Sequence, residues 1–87
     1  MRKQYQYVLK NFFCDKVFYT RESMGITQED MAHTLAMAPR TFIDLEHGKT
    51  GCSALTFALF LIYFCQNPVL FLEELKNDFE AAQKKTA

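Results

Sequence analysis

The sequence has few residues that interrupt regular secondary structure, with three glycines and two prolines among its 87 residues. This scarcity argues against long irregular loops and against a β fold with many turns. Hydrophobic residues make up 49% of the chain and charged residues 23%, a mixture typical of globular rather than disordered proteins. We therefore expect one domain with one core at residues 1–82, followed by a frayed polar tail at residues 83–87.

An excess of charge of one sign is also missing, because ten basic and ten acidic residues give a net charge of zero. Proteins that bind nucleic acid are usually basic, since they must neutralise phosphates. The balance counts against nucleic-acid binding unless the charges are segregated on the surface, because the local field depends on where the charges lie.

The sequence has no apolar run long enough to predict a membrane span. It also has no residue spacing typical of a metal site or a catalytic site. Its longest mainly apolar run, residues 54–65, is shorter than the roughly 20 residues that a bilayer requires, and it predicts a buried helix. Cys14, Cys52 and Cys65 have no zinc-ligand spacing and are interpreted as small buried thiols. Their odd number and the lack of a signal-peptide pattern favour the cytoplasm. We expect no enzyme activity, cofactor or small-molecule substrate.

The pattern of apolar residues and helix boundaries predicts five helices and no strand. The first helix is expected over residues 5–24, ending at a glycine that tolerates the left-handed conformation. The second helix is capped by Thr27 and ends near Ala36. Pro39 opens the third helix, since proline at the first position loses no hydrogen bond, and Gly48 closes it.

The last two helices are the most apolar part of the chain. Ser53 is suited to cap the fourth helix, which runs through Cys65, and Asn67 to cap the fifth. A helix that is apolar all round must be covered on every side. The inward face of the fifth helix is predicted to carry Val69, Leu72, Leu75 and Phe79. The candidates for an exposed patch, and hence for a two-fold dimer interface, are Tyr63, Phe64, Leu70 and Phe71. The alternative is that the fifth helix buries this apolar surface completely.

The most informative motif lies in residues 21–49. It reads Arg21-x-x-x-Gly25-Ile26-Thr27-Gln28-x-x-Met31-Ala32-x-x-Leu35, followed by Phe42-x-x-Leu45-Glu46-x-Gly48-Lys49. This combination resembles the phage repressor and Cro family, also called XRE-like, and the order of the five helices extends the resemblance over nearly all of the chain.

The resemblance implies an all-α fold, a compact five-helix lambda-repressor-like DNA-binding domain with a helix-turn-helix at residues 27–47. Its recognition helix, residues 39–47, would lie in the major groove, and a homodimer would place two such helices about 34–36 Å apart. The implied function is sequence-specific binding of duplex DNA by a small repressor-like transcriptional regulator. Arg21 and Glu46 are expected to pair and to tie the first helix to the end of the third. The apolar residues expected between the helices of the motif are Met31, Ala32, Leu35, Phe42 and Leu45.

Three residues of the third helix are candidates for reading bases. The guanidinium of Arg40 matches the two acceptors of guanine, and Thr41 is suited to contact a thymine methyl group or a phosphate. Asp44 could accept from a cytosine amino group, or it could repel the DNA backbone and restrain Arg40 through an i,i+4 contact.

Phosphate contacts are expected on either side of these base-reading residues. The resemblance implies that Gln28, at the start of the second helix, contacts a phosphate with the help of unpaired backbone amides, and Thr27 is expected to contact one beside it. Lys49 and Thr50 follow the third helix, although Lys49 could equally be a solvated loop charge.

Several residues depart from the pattern of the family. Ala36 stands where glycine is usual, and alanine in the left-handed conformation costs about 1–2 kcal/mol. Ala38 replaces the usual serine or threonine cap. Pro39, the outward-facing Ile43, Asp44 and the zero net charge support an alternative function, a protein-interaction module on the same fold with weak or no DNA binding.

Overall fold

The structure is a computed structural model that describes residues 2–86 and the side chains of residues 2–84, and all regular secondary structure in this part of the chain is helical. The helices are α1 (Arg2–Met24), α2 (Gln28–Thr34), α3 (Pro39–Glu46), α4 (Ala54–Tyr63) and α5 (Pro68–Thr86). The radius of gyration is 13.1 Å, close to the value of about 12 Å for a compact chain of this length. The predicted all-α class is confirmed. None of these helices has both the length and the apolar composition to cross a bilayer.

α1 is the scaffold of the fold, because it packs against both α3 and α5. Its residues Phe13 and Val17 are completely buried. The ring of Phe13 meets the ring of Phe60 in α4 at 5.1 Å, and the ring of Phe12 meets Phe71 in α5 at the same distance. Edge-to-face contacts of this kind add to the stabilisation from burial, so aromatic rings join three helices into one core.

α1 begins at Arg2, three residues before the predicted start, because α5 holds its first turn. The side-chain amide of Gln4 donates to the carbonyl of Ala82 at 3.0 Å. The ring of Tyr5 packs edge to face against Phe79 at 5.2 Å. The side chain of Gln83 also donates to the hydroxyl of Tyr5. The expected frayed tail at residues 83–87 is therefore helical as far as Thr86, and residue 87 lies outside the described part.

The predicted helix caps are confirmed in α2, α4 and α5. The hydroxyl of Thr27 accepts from the amide of Asp30 at 3.1 Å. The hydroxyl of Ser53 accepts from the amide of Thr56 at 3.1 Å, and Asn67 caps α5 in the same way at 3.0 Å. Each cap satisfies an amide that the first turn of a helix leaves without a partner. The C-terminal ends of α2 and α4 each lie two residues before the predicted ends. α2 stops at residue 34 rather than 36, and α4 stops at residue 63 rather than 65.

The predicted inward face of α5 is confirmed at Leu75 and at the half-buried Phe79, but it is wrong at Val69 and Leu72. Phe71 and Leu75 are buried, with Phe71 only 5% exposed, whereas Val69 is 66% exposed and Leu72 is also exposed. The ring of Phe71 fits between those of Phe12, Phe57 and Phe60. Burying this large ring stabilises more than burying a valine, so the helix turns it inward.

α4 is covered on one side only, although its composition predicts a fully buried helix. Thr56 and Phe60 are buried, but Leu55 is exposed and Ile62 is 68% exposed. These two residues are seven positions apart and lie on the same helix face. That face remains uncovered because α1 and α5 both lie on the side of Phe60.

Candidate nucleic-acid interface

Three side chains, from α1, α2 and α3, meet at Glu46. Nε of Arg21 lies 2.6 Å from Oε2 of Glu46, and Nη2 of Arg21 lies 3.2 Å from Oε1. The side-chain amide of Gln28 donates to Oε1 at 2.9 Å. The pair that the resemblance implies is thus present in a two-point geometry, and Gln28 extends it.

The electrostatics of this cluster favour the charged form of both partners. Burial alone raises the pKa of Glu46, whose side chain is 2% exposed, but hydrogen bonds from Arg21 and Gln28 outweigh burial and lower the pKa below its usual range. The hydrogen bond to Glu46 raises the pKa of Arg21. A buried carboxylate that accepts three hydrogen bonds fixes the positions of all three helices relative to one another.

The connection between α1 and α2 is tied to the same cluster. Nη1 of Arg21 donates to the carbonyl of Ile26 at 3.2 Å. The guanidinium therefore holds the residues before α2 as well as the last helical residue of α3. The start of α2 and the end of α3 are fixed relative to α1.

A tight turn separates α2 from α3. Ala36 has a φ of 56°, a left-handed conformation that glycine adopts without strain and alanine does not. The amide of Met37 donates to the carbonyl of Ala32 at 3.0 Å. Ala38 is extended, at φ −66° and ψ 146°, and its side chain forms no capping bond, whereas Pro39 is the first helical residue.

The inner faces of α2 and α3 pack together around buried apolar side chains. The residues that the sequence predicts there are all buried: Met31, Ala32, Leu35, Phe42 and Leu45. Ala32 is completely buried, so a larger side chain would push neighbouring helices apart. This packing determines which residues lie on the outer face of the two helices.

The outer surface of α3 presents its first turn to solvent. Pro39, Arg40 and Thr41 are exposed, whereas Ile43 and Asp44 are half-buried. Among the described residues, Arg40 forms no ion pair with Asp44 or any other carboxylate. The possible i,i+4 restraint is absent, and the guanidinium is available to a partner.

The candidate phosphate-binding residues lie at two places. Thr27 and Gln28 begin α2, and the hydroxyl of Thr27 already accepts the capping bond. Lys49 and Thr50 are exposed after α3, with the amide of Lys49 donating to the carbonyl of Asp44 at 2.9 Å. The hydrogen bond to Glu46 holds the side chain of Gln28 at the end of α3. Glu46 itself lies about 9 Å along the helix axis from Arg40.

The dimer candidates differ in their exposure. Tyr63 and Leu70 are exposed, Phe64 is half-buried, and Phe71 belongs to the core. Phe71 is therefore not part of an exposed patch. The exposed apolar residues of α4 and α5 that the sequence did not assign to the patch are Leu55, Ile62, Val69 and Leu72.

One further surface was not predicted from the sequence. It is a cleft between the first half of α1 and the loop after α3. Lys3 and Lys10 line it on α1, and Gly51 and Cys52 on the loop. The available signal was the distribution of charge, since residues 1–14 contain basic but no acidic residues.

The three cysteines are free thiols and are half-buried rather than fully buried. Burial raises the pKa of both Cys14 and Cys52, which keeps these thiols protonated at neutral pH. In the described part of the chain, no three histidine, cysteine or acidic side chains are placed to hold a metal ion.

No protein-family model matches the chain, and no curated protein or solved structure matches it at a significant level. Function is therefore inferred from the residues and their geometry.

Proposed function

We propose that the chain is a lambda-repressor-like helix-turn-helix domain that binds duplex DNA sequence-specifically, as a small cytoplasmic transcriptional regulator of the repressor type. The observation that carries this proposal is the cluster of Arg21, Gln28 and Glu46, which fixes α2 and α3 while leaving the first turn of α3 exposed. A helix held in this way is suited to enter the major groove with its N-terminal residues toward the bases.

Base reading is assigned to the exposed side of α3. Among the described residues, no carboxylate pairs with the guanidinium of Arg40, and its planar fork matches the O6 and N7 acceptors of guanine. Thr41 lies beside it and is suited to contact a thymine methyl group. Asp44, one turn further on, is suited to accept from a cytosine amino group.

Phosphate contacts are assigned to residues flanking α3. The amide nitrogen of Gln28 carries two hydrogens, of which one goes to Glu46 and the other is left for a phosphate oxygen. The network would then orient this contact. Thr27, Lys49 and Thr50 are exposed and add donors on the same path.

We also propose that the domain forms a two-fold dimer through the exposed apolar side chains of α4 and α5. This α4–α5 patch consists of Leu55, Ile62, Tyr63, Val69 and Leu70, with the half-buried Phe64 at its edge. Tyr63, Phe64 and Leu70 line one pocket, and exposed apolar side chains that lie together mark interfaces. Sedimentation of wild type and Ile62→Glu tests the dimer, because the charge should convert the dimer to a monomer.

The α4–α5 patch also favours a second candidate function, a protein-interaction module without strong DNA binding. The zero net charge supports it. The two functions differ in their salt response, because DNA binding through several phosphates weakens steeply as salt rises, whereas apolar association does not.

The deciding experiment is fluorescence anisotropy with a pool of random duplexes at low salt, followed by selection of the preferred sequence. We expect binding, and we expect Arg40→Ala to relax the preference for one base pair at a cost of about 1–3 kcal/mol. Lys76→Ala removes an exposed charge on α5 and is the matched control, which should keep the preference. If wild type does not bind the pool at low salt, the interaction module replaces the DNA-binding function.

A further inference from the structure

The charges of this neutral chain are segregated along its sequence. Residues 1–14 contain Arg2, Lys3 and Lys10 and no acidic residue, and residues 47–72 contain Lys49 and no acidic residue. The ten acidic residues all lie elsewhere in the chain. A surface built from these two stretches would be positive although the whole molecule is neutral.

The fold places these two stretches side by side. At Gly48, an added Cβ would lie 3.4 Å from Sγ of Cys14, so the end of α3 packs closely on α1 one turn beyond Lys10. The chain then runs along α1, and Gly51 and Cys52 form one wall of a cleft of about 570 Å³. The other wall is formed by residues of α1: Lys3, Gln6, Tyr7, Leu9 and Lys10.

The lysines near this cleft differ from the paired basic residues elsewhere on α1. Lys16 pairs with Glu74, and Arg21 pairs with Glu46. Within the described residues, Lys3, Lys10 and Lys49 form no ion pair. Lys10 instead lies over the ring of Tyr7, with Nζ 5.6 Å from the ring centre, and this neutral ring stabilises the ammonium without cancelling its charge.

We propose that this cleft, through Lys3, Gln6 and Lys10 among its lining residues, binds the sugar-phosphate backbone of a duplex beyond the bases that α3 reads. The proposal rests on the proposed DNA-binding function and adds a second, sequence-independent contact to it. The occupant is a polyanion, because the surface carries uncompensated positive charge and polar donors and no acidic residue.

The dimensions of the cleft fit this occupant. Lys3 and Lys10 are two helical turns apart, or about 10 Å along α1, which corresponds to roughly three phosphates of one strand at 3.4 Å of helix axis each. Gly51 has open space where a Cβ would be, so a phosphate can approach its backbone. The loop that begins at Lys49 leads directly from the recognition helix to this cleft.

The test measures the binding constant against salt concentration for two duplexes, one limited to the segment that α3 reads and one extended by about one helical turn, 10 base pairs, on each side. On the extended duplex, Lys3→Ala with Lys10→Ala should reduce the slope of log K against log salt by about 1.8, or 0.9 for each lost phosphate contact. On the short duplex, wild type and double variant should bind equally. The sequence preference should not change.

Two further variants serve as controls. Lys10→Arg keeps the charge and should retain the wild-type slope, whereas Lys76→Ala removes an exposed charge on α5 and should also leave the slope unchanged. Thermal unfolding checks that each variant remains folded.

The outcomes separate this inference from the proposed function. If the double variant keeps the full slope on the extended duplex while binding still depends on Arg40, the cleft is not a phosphate site but the DNA-binding function stands. If wild type binds neither duplex at low salt, both proposals fail together.

Discussion

Arg21 and Glu46 form a two-point ion pair that joins α1 to α3 across 25 positions of sequence, with the shorter contact at 2.6 Å. The side chain of Glu46 is almost completely buried, so the pair replaces water for both charges. A charge buried in this way depends on its partner, because an unpaired charge in the same place would lose its hydration without compensation.

We expect Glu46→Ala to lower the free energy of unfolding by about 3 kcal/mol, because it leaves the guanidinium of Arg21 without its partner. The matched control is Glu22→Ala. Glu22 also approaches Arg21, at 3.7 Å, but its side chain is 57% exposed, so its loss should cost less than about 0.5 kcal/mol. Urea unfolding measures both values. Equal losses would show that burial does not set the strength of the pair.

The contribution of Glu46 should depend on pH. Its pKa is lowered in the folded state, so its contribution is present in full above the ordinary glutamate pKa of about 4.3 and is lost as the pH falls through the lower folded value. The difference in unfolding free energy between wild type and Glu46→Gln should therefore shrink from pH 7 to pH 3. A difference that stays constant over this range would contradict the assignment.

Ala36→Gly should stabilise the protein by about 1 kcal/mol, because glycine adopts positive φ without the clash that alanine suffers. Ala36 has a φ of 56°. Ala58→Gly, at an exposed position inside α4, should instead destabilise by about 1 kcal/mol. Thermal unfolding of both variants gives the comparison. A loss of stability in Ala36→Gly would contradict backbone strain at residue 36.

The missing cap of α3 can be supplied. Ala38→Ser should stabilise by about 1 kcal/mol, because its hydroxyl can accept from an amide of the first turn. Ser53→Ala removes such a bond from α4 and should destabilise by a similar amount, about 1 kcal/mol. The denaturant midpoints of the two variants, compared at constant m-value, test both expectations. A lower stability of Ala38→Ser would contradict the interpretation that α3 lacks a cap.

Phe71 and Leu72 are neighbours in sequence that should respond differently to truncation. Phe71→Ala removes a ring that contacts three others and should cost about 3–5 kcal/mol. Leu72 is exposed, so Leu72→Ala should cost less than about 0.5 kcal/mol. The two free energies of unfolding decide which residue belongs to the core. A larger loss for Leu72→Ala than for Phe71→Ala would contradict the observed inward face of α5.

The helix starts and caps could be predicted from the sequence because the interactions that decide them lie within one helical turn. Thr27, Ser53 and Asn67 each bond an amide three residues ahead. Pro39 at a first helical position likewise depends only on its own ring and on the residue before it. The number of helices, their starts in α2 to α5 and the separation of α2 from α3 could therefore be predicted.

The faces of the apolar helices could not be predicted in the same way. Residues 69–72 are four consecutive apolar residues, so helical periodicity alone does not say which of them points inward. Phe12, Phe57 and Phe60 select Phe71 by the space between their rings. That space exists only after α1, α4 and α5 have packed.

The sequence by itself determined five helices, their caps and an apolar wedge between α2 and α3, because local backbone hydrogen bonds and spacing encode these features. Tertiary structure alone decided that Gln28 donates to Glu46 and that Lys3 and Lys10 face Gly51 across one cleft. Contacts between residues far apart in sequence depend on how helices pack, and neither composition nor periodicity specifies that packing.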